Sequence, residues 1–140
     1  MVKARLYQGI DLVSVRRIEK ALASQGKRFL SRIFTSRELA YCLPRRMKCE
    51  HLAARFAAKE AFLKAFTPEH RGVPSLKDLE VRRHATGQPY FYLSAAVKKK
   101  IGFPKEMQIE LSLAHEREFA VAVVMLYAPG AVSSRSRRIS

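Results

Sequence analysis

The 140-residue chain has no apolar run long enough to span a bilayer, and residues 1–10 lack the hydrophobic segment of a signal peptide. Those absences set aside a helical membrane protein and lead to the expectation of a soluble, cytoplasmic one. Cysteine is scarce: Cys42 and Cys49 are the only two. They suit neither a disulfide framework nor a paired-cysteine zinc site, and are read as free thiols. A glycine-rich phosphate loop and a His-x-x-x-His metal spacing are both missing, and His51, His70, His84 and His115 are scattered. No internal repeat or linker is evident. Acidic side chains are few, 12 against 27 Lys and Arg, which leaves a net charge of +15. Such an excess implies a polyanionic partner: nucleic acid, an acidic protein, a phosphate-rich small molecule or an acidic membrane surface.

What is present is a chain of 48% hydrophobic residues, enough for one real core. A single domain is expected over residues 1–128, followed by a basic tail over 129–140 whose end, Ser133–Ser140, carries three arginines and little to bury. Ala4–Ile10 suits a short strand, with Gly9 permitting a close backbone approach, and Asp11 falls where that strand ends. Val15, Ile18 and Leu22 then repeat at helical spacing up to Gly26. Thr35 and Glu38 form a capping box for a helix over Leu39–Leu43, closed by Pro44. A long helix over Leu52–Phe66 follows, and Glu69–Pro74 reads as loop.

The second half alternates. Leu79–Leu93 is a hairpin turning at Thr86-Gly87-Gln88-Pro89, and Ser94 caps a short basic helix over Ala95–Ile101. Ile109, Leu111 and Leu113 mark a half-buried strand, and Phe119–Tyr127 is apolar enough to be central. The class is α+β: helices early, then a mainly antiparallel sheet packed with one long buried helix.

That helix carries an anomaly. Leu52, Phe56, Phe62, Leu63 and Phe66 cover one side and five alanines the other, yet Arg55, Lys59, Glu60 and Lys64 sit among them. Charges in a helix packed on two faces are costly unless paired or engaged by a ligand. An ordinary Glu60–Lys64 pair with snorkelling Lys and Arg stems is the plain explanation. The other explanation is a site. Asp11 and Glu60 are carboxylates without sulfur or imidazole partners, a donor set that suits a hard ion such as Mg²⁺. Basic residues nearby suit phosphate, and the combination is that of phosphoryl-type transfer.

At these residues the chain resembles a known family. Gly9-Ile10-Asp11-Leu12, the run Arg55–Phe66 and Ser112-Leu113-Ala114-His115 resemble the small, single-domain class of 4′-phosphopantetheinyl transferases, the holo-acyl-carrier-protein synthases. Phe34–Leu39 and Gly87–Tyr90 support the match, which runs from about Leu6 to Leu126. The resemblance implies a homotrimer with active sites in clefts between subunits. It implies transfer of 4′-phosphopantetheine from coenzyme A to a serine of apo-acyl carrier protein, in fatty acid synthesis, releasing adenosine 3′,5′-bisphosphate. Asp11 and Glu60 match the family's Mg²⁺ ligands, and Lys64 a lysine placed on phosphate charge or the leaving group. Arg55 and Lys59 match the coenzyme A site or its supporting shell, with Lys64, Ser112 and His115 also on the cofactor. Arg17, Arg28 and Arg32, with Arg16 and Lys27 beside them, match the carrier-protein face. The serine proton is left to a metal-held water, Glu60 or Glu116.

Departures accompany the match. Val13 stands where larger relatives place a second metal carboxylate, Ala114 replaces a hydroxyl residue, and the Arg17–Arg28 spacing is slightly long. Asp11, Glu60 and Lys64 do not depart. On charge alone the chain would also read as a nucleic-acid-binding module, but that reading gives Glu60 no purpose. The resemblance leads instead to the expectation of a protein partner, with no nucleic acid and no membrane. A third reading keeps the transferase and widens its targets to carrier domains of polyketide or peptide synthetases.

Overall fold

Ten elements and one 3₁₀ turn (Leu76–Asp78) follow one another in the computed structural model, which describes residues 3–66 and 72–130. They are β1 (Arg5–Ser14), α1 (Val15–Gln25), α2 (Lys27–Ile33), α3 (Ser36–Cys42), α4 (Lys48–Ala65), β2 (Glu80–Arg83), β3 (Pro89–Tyr92), α5 (Ala95–Ile101), β4 (Gln108–His115) and β5 (Phe119–Ala128). Turn and cap chemistry set most of these boundaries. Thr35 and Glu38 close the reciprocal capping box at α3. Ser94 Oγ accepts the Val97 N–H to start α5, and Gly102 ends it in the left-handed region. Gly87, at φ 93°, makes the turn between β2 and β3. α4 ends at Ala65 with Phe66 as its C-cap, next to the expected end at Phe66; residues 67–71, which hold the first part of the loop expected over Glu69–Pro74, and the arginine-rich end Ser133–Ser140 lie outside the described residues.

The central strand is β5, hydrogen-bonded antiparallel to β1 on one side and β4 on the other. Its apolar composition foretold this place. β2 and β3 pair separately as a two-stranded hairpin. In the three-stranded sheet, alternate residues face opposite ways. Gly9, Val13, Ala120, Ala122, Val124 and Leu126 turn inward and are buried. The opposite face leaves Leu6, Ile10, Leu12, Phe119, Met125 and Tyr127 exposed, by 58, 60, 63, 43, 37 and 42%.

Against the inner face lies α4, and its other side is covered by α1, α3 and the hairpin. Phe62 stacks near Phe66 and Phe103 and meets Phe91 of β3 edge-on at 5.3 Å. The expectation of a helix packed on two faces is met: twelve of its eighteen residues are buried. Among them is Lys59, with no exposure at all. Its ammonium donates to Glu38 Oε1 at 2.6 Å and to the Ile33 carbonyl at 2.6 Å. Glu38 Oε2 accepts the Val81 N–H at 2.9 Å. One buried ion pair therefore joins the end of α2, α3, α4 and β2. Of the two places expected for Lys59, direct contact with coenzyme A or the supporting shell of that site, its geometry suits the shell: its donors are turned onto the chain's own acceptors.

Removing one partner of such a pair strands the other charge in the core. Lys59→Met is expected to cost roughly 3–5 kcal/mol of unfolding free energy. Urea unfolding reads this directly, and an unchanged midpoint would show that the pair does not hold the fold.

Candidate active site

The first half of the site is built by a close approach of backbone to backbone. A Cβ on Gly9 would lie 2.0 Å from the Ala61 carbonyl oxygen and 2.9 Å from the Ala65 nitrogen, so only glycine lets β1 seat against α4 there. Asp11 lies two residues further on the same face and reaches the adjoining row of α4, which holds Glu60 and Lys64. The Lys64 ammonium donates to Asp11 Oδ1 at 3.0 Å and to the Ile10 carbonyl at 3.0 Å. Asp11 is largely covered, its side chain 17% exposed, whereas Lys64 is 57% exposed. Half-buried Glu60 has no hydrogen-bond or ion-pair partner among the described residues. The plain Glu60–Lys64 pair is therefore replaced by a contact between elements, and Glu60 keeps its oxygens free.

Asp11 does not end its strand. β1 continues to Ser14, pairing Asp11 with Ala122 and Ser14 with Phe119. Ser14 occupies the N-cap of α1 without a side-chain bond, so neither Asp11 nor Ser14 caps through its side chain. Asp11 is held by the sheet ladder, a firmer support than a loop would give.

The second half is a cleft of about 170 Å³ lined by His51, Ala54, Arg55, Arg83, Gly87, Pro89, Leu113 and His115. Arg55 is 3% exposed; it donates to the His51 carbonyl at 3.4 Å, and its buried Nε has no hydrogen-bond partner among the described residues. His115 stands 5.1 Å from the His51 ring, ring centre to ring centre, and its Nδ1 is 3.5 Å from Glu50 Oε2. Ser112 points to the other face of β4, into a separate groove with Gln88, Pro89 and Met125. It and His115 share a strand end but not a surface. Arg83 and His51 were not anticipated. Arg83 looked like a hairpin residue, and only the turn that ties its Nε to the Gly87 carbonyl at 2.9 Å aims it inward.

One chain holds the two halves apart. Arg55 and Lys64 are nine residues apart, about 180° around the helix. Asp11 and His115 lie on strands at opposite edges of the sheet. The arginines expected on the carrier face are all exposed: Arg17 on α1, over the Phe56 ring at 5.7 Å, and Arg28 and Arg32 one turn apart on α2.

Two oxygen-rich side chains beside a lysine, with a cationic cleft elsewhere, describe a protein that handles phosphate esters. A family model, the 4′-phosphopantetheinyl transferase superfamily, matches residues 8–124. The holo-[acyl-carrier-protein] synthase of Chloroflexus aggregans is 40% identical over 133 residues, covering 87% of this chain and 95% of that one. That of Dehalococcoides mccartyi is 43% identical over 121 residues, covering 86% and 97%. The solved enzyme from Neisseria meningitidis superposes with a TM-score of 0.76 at 32% identity, covering 90% of this chain and 98% of that one. The Bacillus anthracis enzyme, solved in complex with CoA (3′,5′-ADP), gives a TM-score of 0.68 at 34% identity, covering 87% and 96%. The chain belongs to the 4′-phosphopantetheinyl transferase superfamily and, within it, to the holo-[acyl-carrier-protein] synthases.

Burial, followed by the charges of His115, Arg55, Arg45 and Arg83, holds the His51 pKa below its ordinary 6.5. On acidification the unfolded chain takes up this proton first, so folding stability falls with pH through that window and returns as pH rises past 6.5. His51→Gln should lose less stability than the parent between about pH 7 and about pH 5.5, measured by urea midpoints. Identical pH slopes would contradict the assignment.

Proposed function

We propose that the chain transfers the 4′-phosphopantetheine arm of coenzyme A to a serine hydroxyl of an apo-acyl carrier protein in the cytoplasm, supplying holo-carrier for fatty acid synthesis. The observation that carries the reading is the corner where Lys64 grips Asp11 beside an unpartnered Glu60. Both carboxylates are hard oxygen donors without sulfur or imidazole neighbours, so they fit Mg²⁺ better than zinc. A cation, the Lys64 ammonium, already lies against Asp11. Asp11 and Glu60 would hold the metal, which supplies charge neutralisation to the coenzyme's pyrophosphate when bound.

The remaining work falls to the chain's own groups. Lys64, more than half exposed, can leave Asp11 for a phosphate oxygen and stabilise the charge that gathers on the departing adenosine 3′,5′-bisphosphate. In the transfer the serine oxygen forms a bond to the phosphorus bearing the pantetheine arm, and the bond from that phosphorus to the bisphosphate oxygen breaks. The serine proton passes to Glu60, Glu116 or a water, and the electron pair of the broken bond stays on the departing bisphosphate oxygen. Arg55 and His115 bind phosphate and nucleotide in the cleft, and Ser112 approaches the same ligand around the edge of β4. Arg17, Arg28 and Arg32 attract the acidic carrier.

The separation of the two halves supports sites shared between subunits of a homotrimer. So does the outer face of the sheet, where six large apolar side chains stand exposed together. Light scattering checks the assembly: a fully active monomer would contradict shared sites.

Incubation with coenzyme A, Mg²⁺ and apo-carrier should add the phosphopantetheine mass to the carrier, and chelation should stop it. No mass change with several carriers would overturn the enzymatic reading. Asp11→Ala and Glu60→Ala are each expected to abolish transfer while preserving the fold. Activity in either at ordinary Mg²⁺ would overturn the metal assignment. Arg17→Glu with Arg28→Glu should raise KM for the carrier about tenfold or more, with KM for coenzyme A unmoved. An unchanged carrier KM would move the docking face elsewhere.

A further inference from the structure

The guanidiniums of Arg45, Arg55 and Arg83 converge on a single aromatic ring, that of Tyr41 at the end of α3. Their central carbons lie 3.6, 4.3 and 5.3 Å from its centre. The Arg83 Nη1 also donates to the Tyr41 phenol oxygen, and the Arg45 Nη1 donates to the Tyr41 carbonyl at 2.9 Å. The His51 ring meets Tyr41 edge-on at 5.7 Å. No carboxylate pairs with any of the three arginines among the described residues. Like charges gathered this way repel, and the electron-rich faces of the ring are the compensation on hand. Burial acts to raise the Tyr41 phenol, but hydrogen bonding by Arg45 and then the charges of Arg83, Arg45 and Arg55 outweigh it and draw its pKa down. Two of the three, Arg55 and Arg83, line the cleft with His51 and His115, and Tyr41 does not. The buried Nε of Arg55 has no hydrogen-bond partner among the described residues.

We infer that Tyr41 is a positioning residue of the coenzyme A site: its ring and phenol fix Arg55 and Arg83 so that their unengaged N–H groups meet a phosphate of the coenzyme. The inference rests on the cleft being the coenzyme's, as proposed above. It adds a group that touches no ligand and acts through two that do. The arginines come from different elements, α4 and β2, whose relative placement alone does not orient two flexible side chains. A shared aromatic platform does, because each guanidinium plane has a preferred approach to it. The entropy of ordering them is then met before the ligand arrives.

Tyr41→Phe keeps the platform and removes the acceptor for Arg83; Tyr41→Leu removes both. The expected order is a KM for coenzyme A raised about threefold in Tyr41→Phe and about tenfold or more in Tyr41→Leu. kcat and KM for the carrier should stay within about twofold. Calorimetry with adenosine 3′,5′-bisphosphate should show the same graded loss of affinity. It needs no turnover, so failure of the transfer reaction itself is read separately from failure of this inference. A Tyr41→Leu protein that binds the bisphosphate like the parent would overturn the inference. So would equal effects of Phe and Leu, or a loss shared equally by kcat and both KM values together with a lowered melting temperature. Should Tyr41→Leu fail to fold, Tyr41→Phe combined with Arg83→Gln decides. A double variant no weaker for the bisphosphate than Arg83→Gln alone supports the coupling, and additive losses overturn it.

Discussion

The pairing of Lys59 with Glu38 is the constraint around which the helical half is assembled. An ammonium with no exposure needs acceptors at hand, and it finds a carboxylate and a carbonyl, each at 2.6 Å. The same carboxylate takes the Thr35 N–H and the Val81 N–H. Glu38 thus serves a helix start, a helix interior and a strand edge at once. With those contacts in place α4 cannot turn about its axis without exposing a charge to the core. The rotation of α4 is what sends Lys64 and Glu60 toward β1 and Arg55 toward the hairpin. Specificity of orientation, rather than net stabilisation, is the better account of a buried pair of this kind.

Much of the architecture was legible locally. The capping box at Thr35, the glycine turn at Gly87, the Ser94 cap and the apolar run of β5 each act within a few residues, and each element appeared where it was expected. What escaped was nonlocal. The extension of β1 past Asp11 depends on pairing with β5, more than a hundred residues away in the chain. Glu38 looked fully used by its capping role, and nothing in the sequence joins it to a lysine 21 positions on. Glu60 and Lys64 were legible because charges in a packed helix are conspicuous, and Asp11 because it is a carboxylate at the expected end of the first strand. Their geometry was not: Lys64 chose Asp11 over the carboxylate one turn away. Arg83 and Tyr41 were silent, since an arginine in a hairpin and a tyrosine in a short amphipathic helix have ordinary reasons to be there.

The large positive charge resolves into separate populations. Some of it is internal, in Lys59 and Arg55. Another part gathers about Tyr41 and the cleft, and a third lies on α1 and α2 facing water. Each population has its own dielectric setting, so salt would act on them unequally. The exposed arginines would be screened within a Debye length, while the enclosed groups would scarcely respond.

Gly9 deserves to be counted with the site although it carries no side chain. A methyl group there would collide with the Ala61 carbonyl, and the strand would have to lift from the helix. Asp11 would be carried away with it, while β5 kept the ladder of the sheet intact. A genetic screen scoring only lost activity would therefore rank position 9 beside Asp11 and Glu60. It would mistake a hinge of van der Waals contact for a participant in the chemistry.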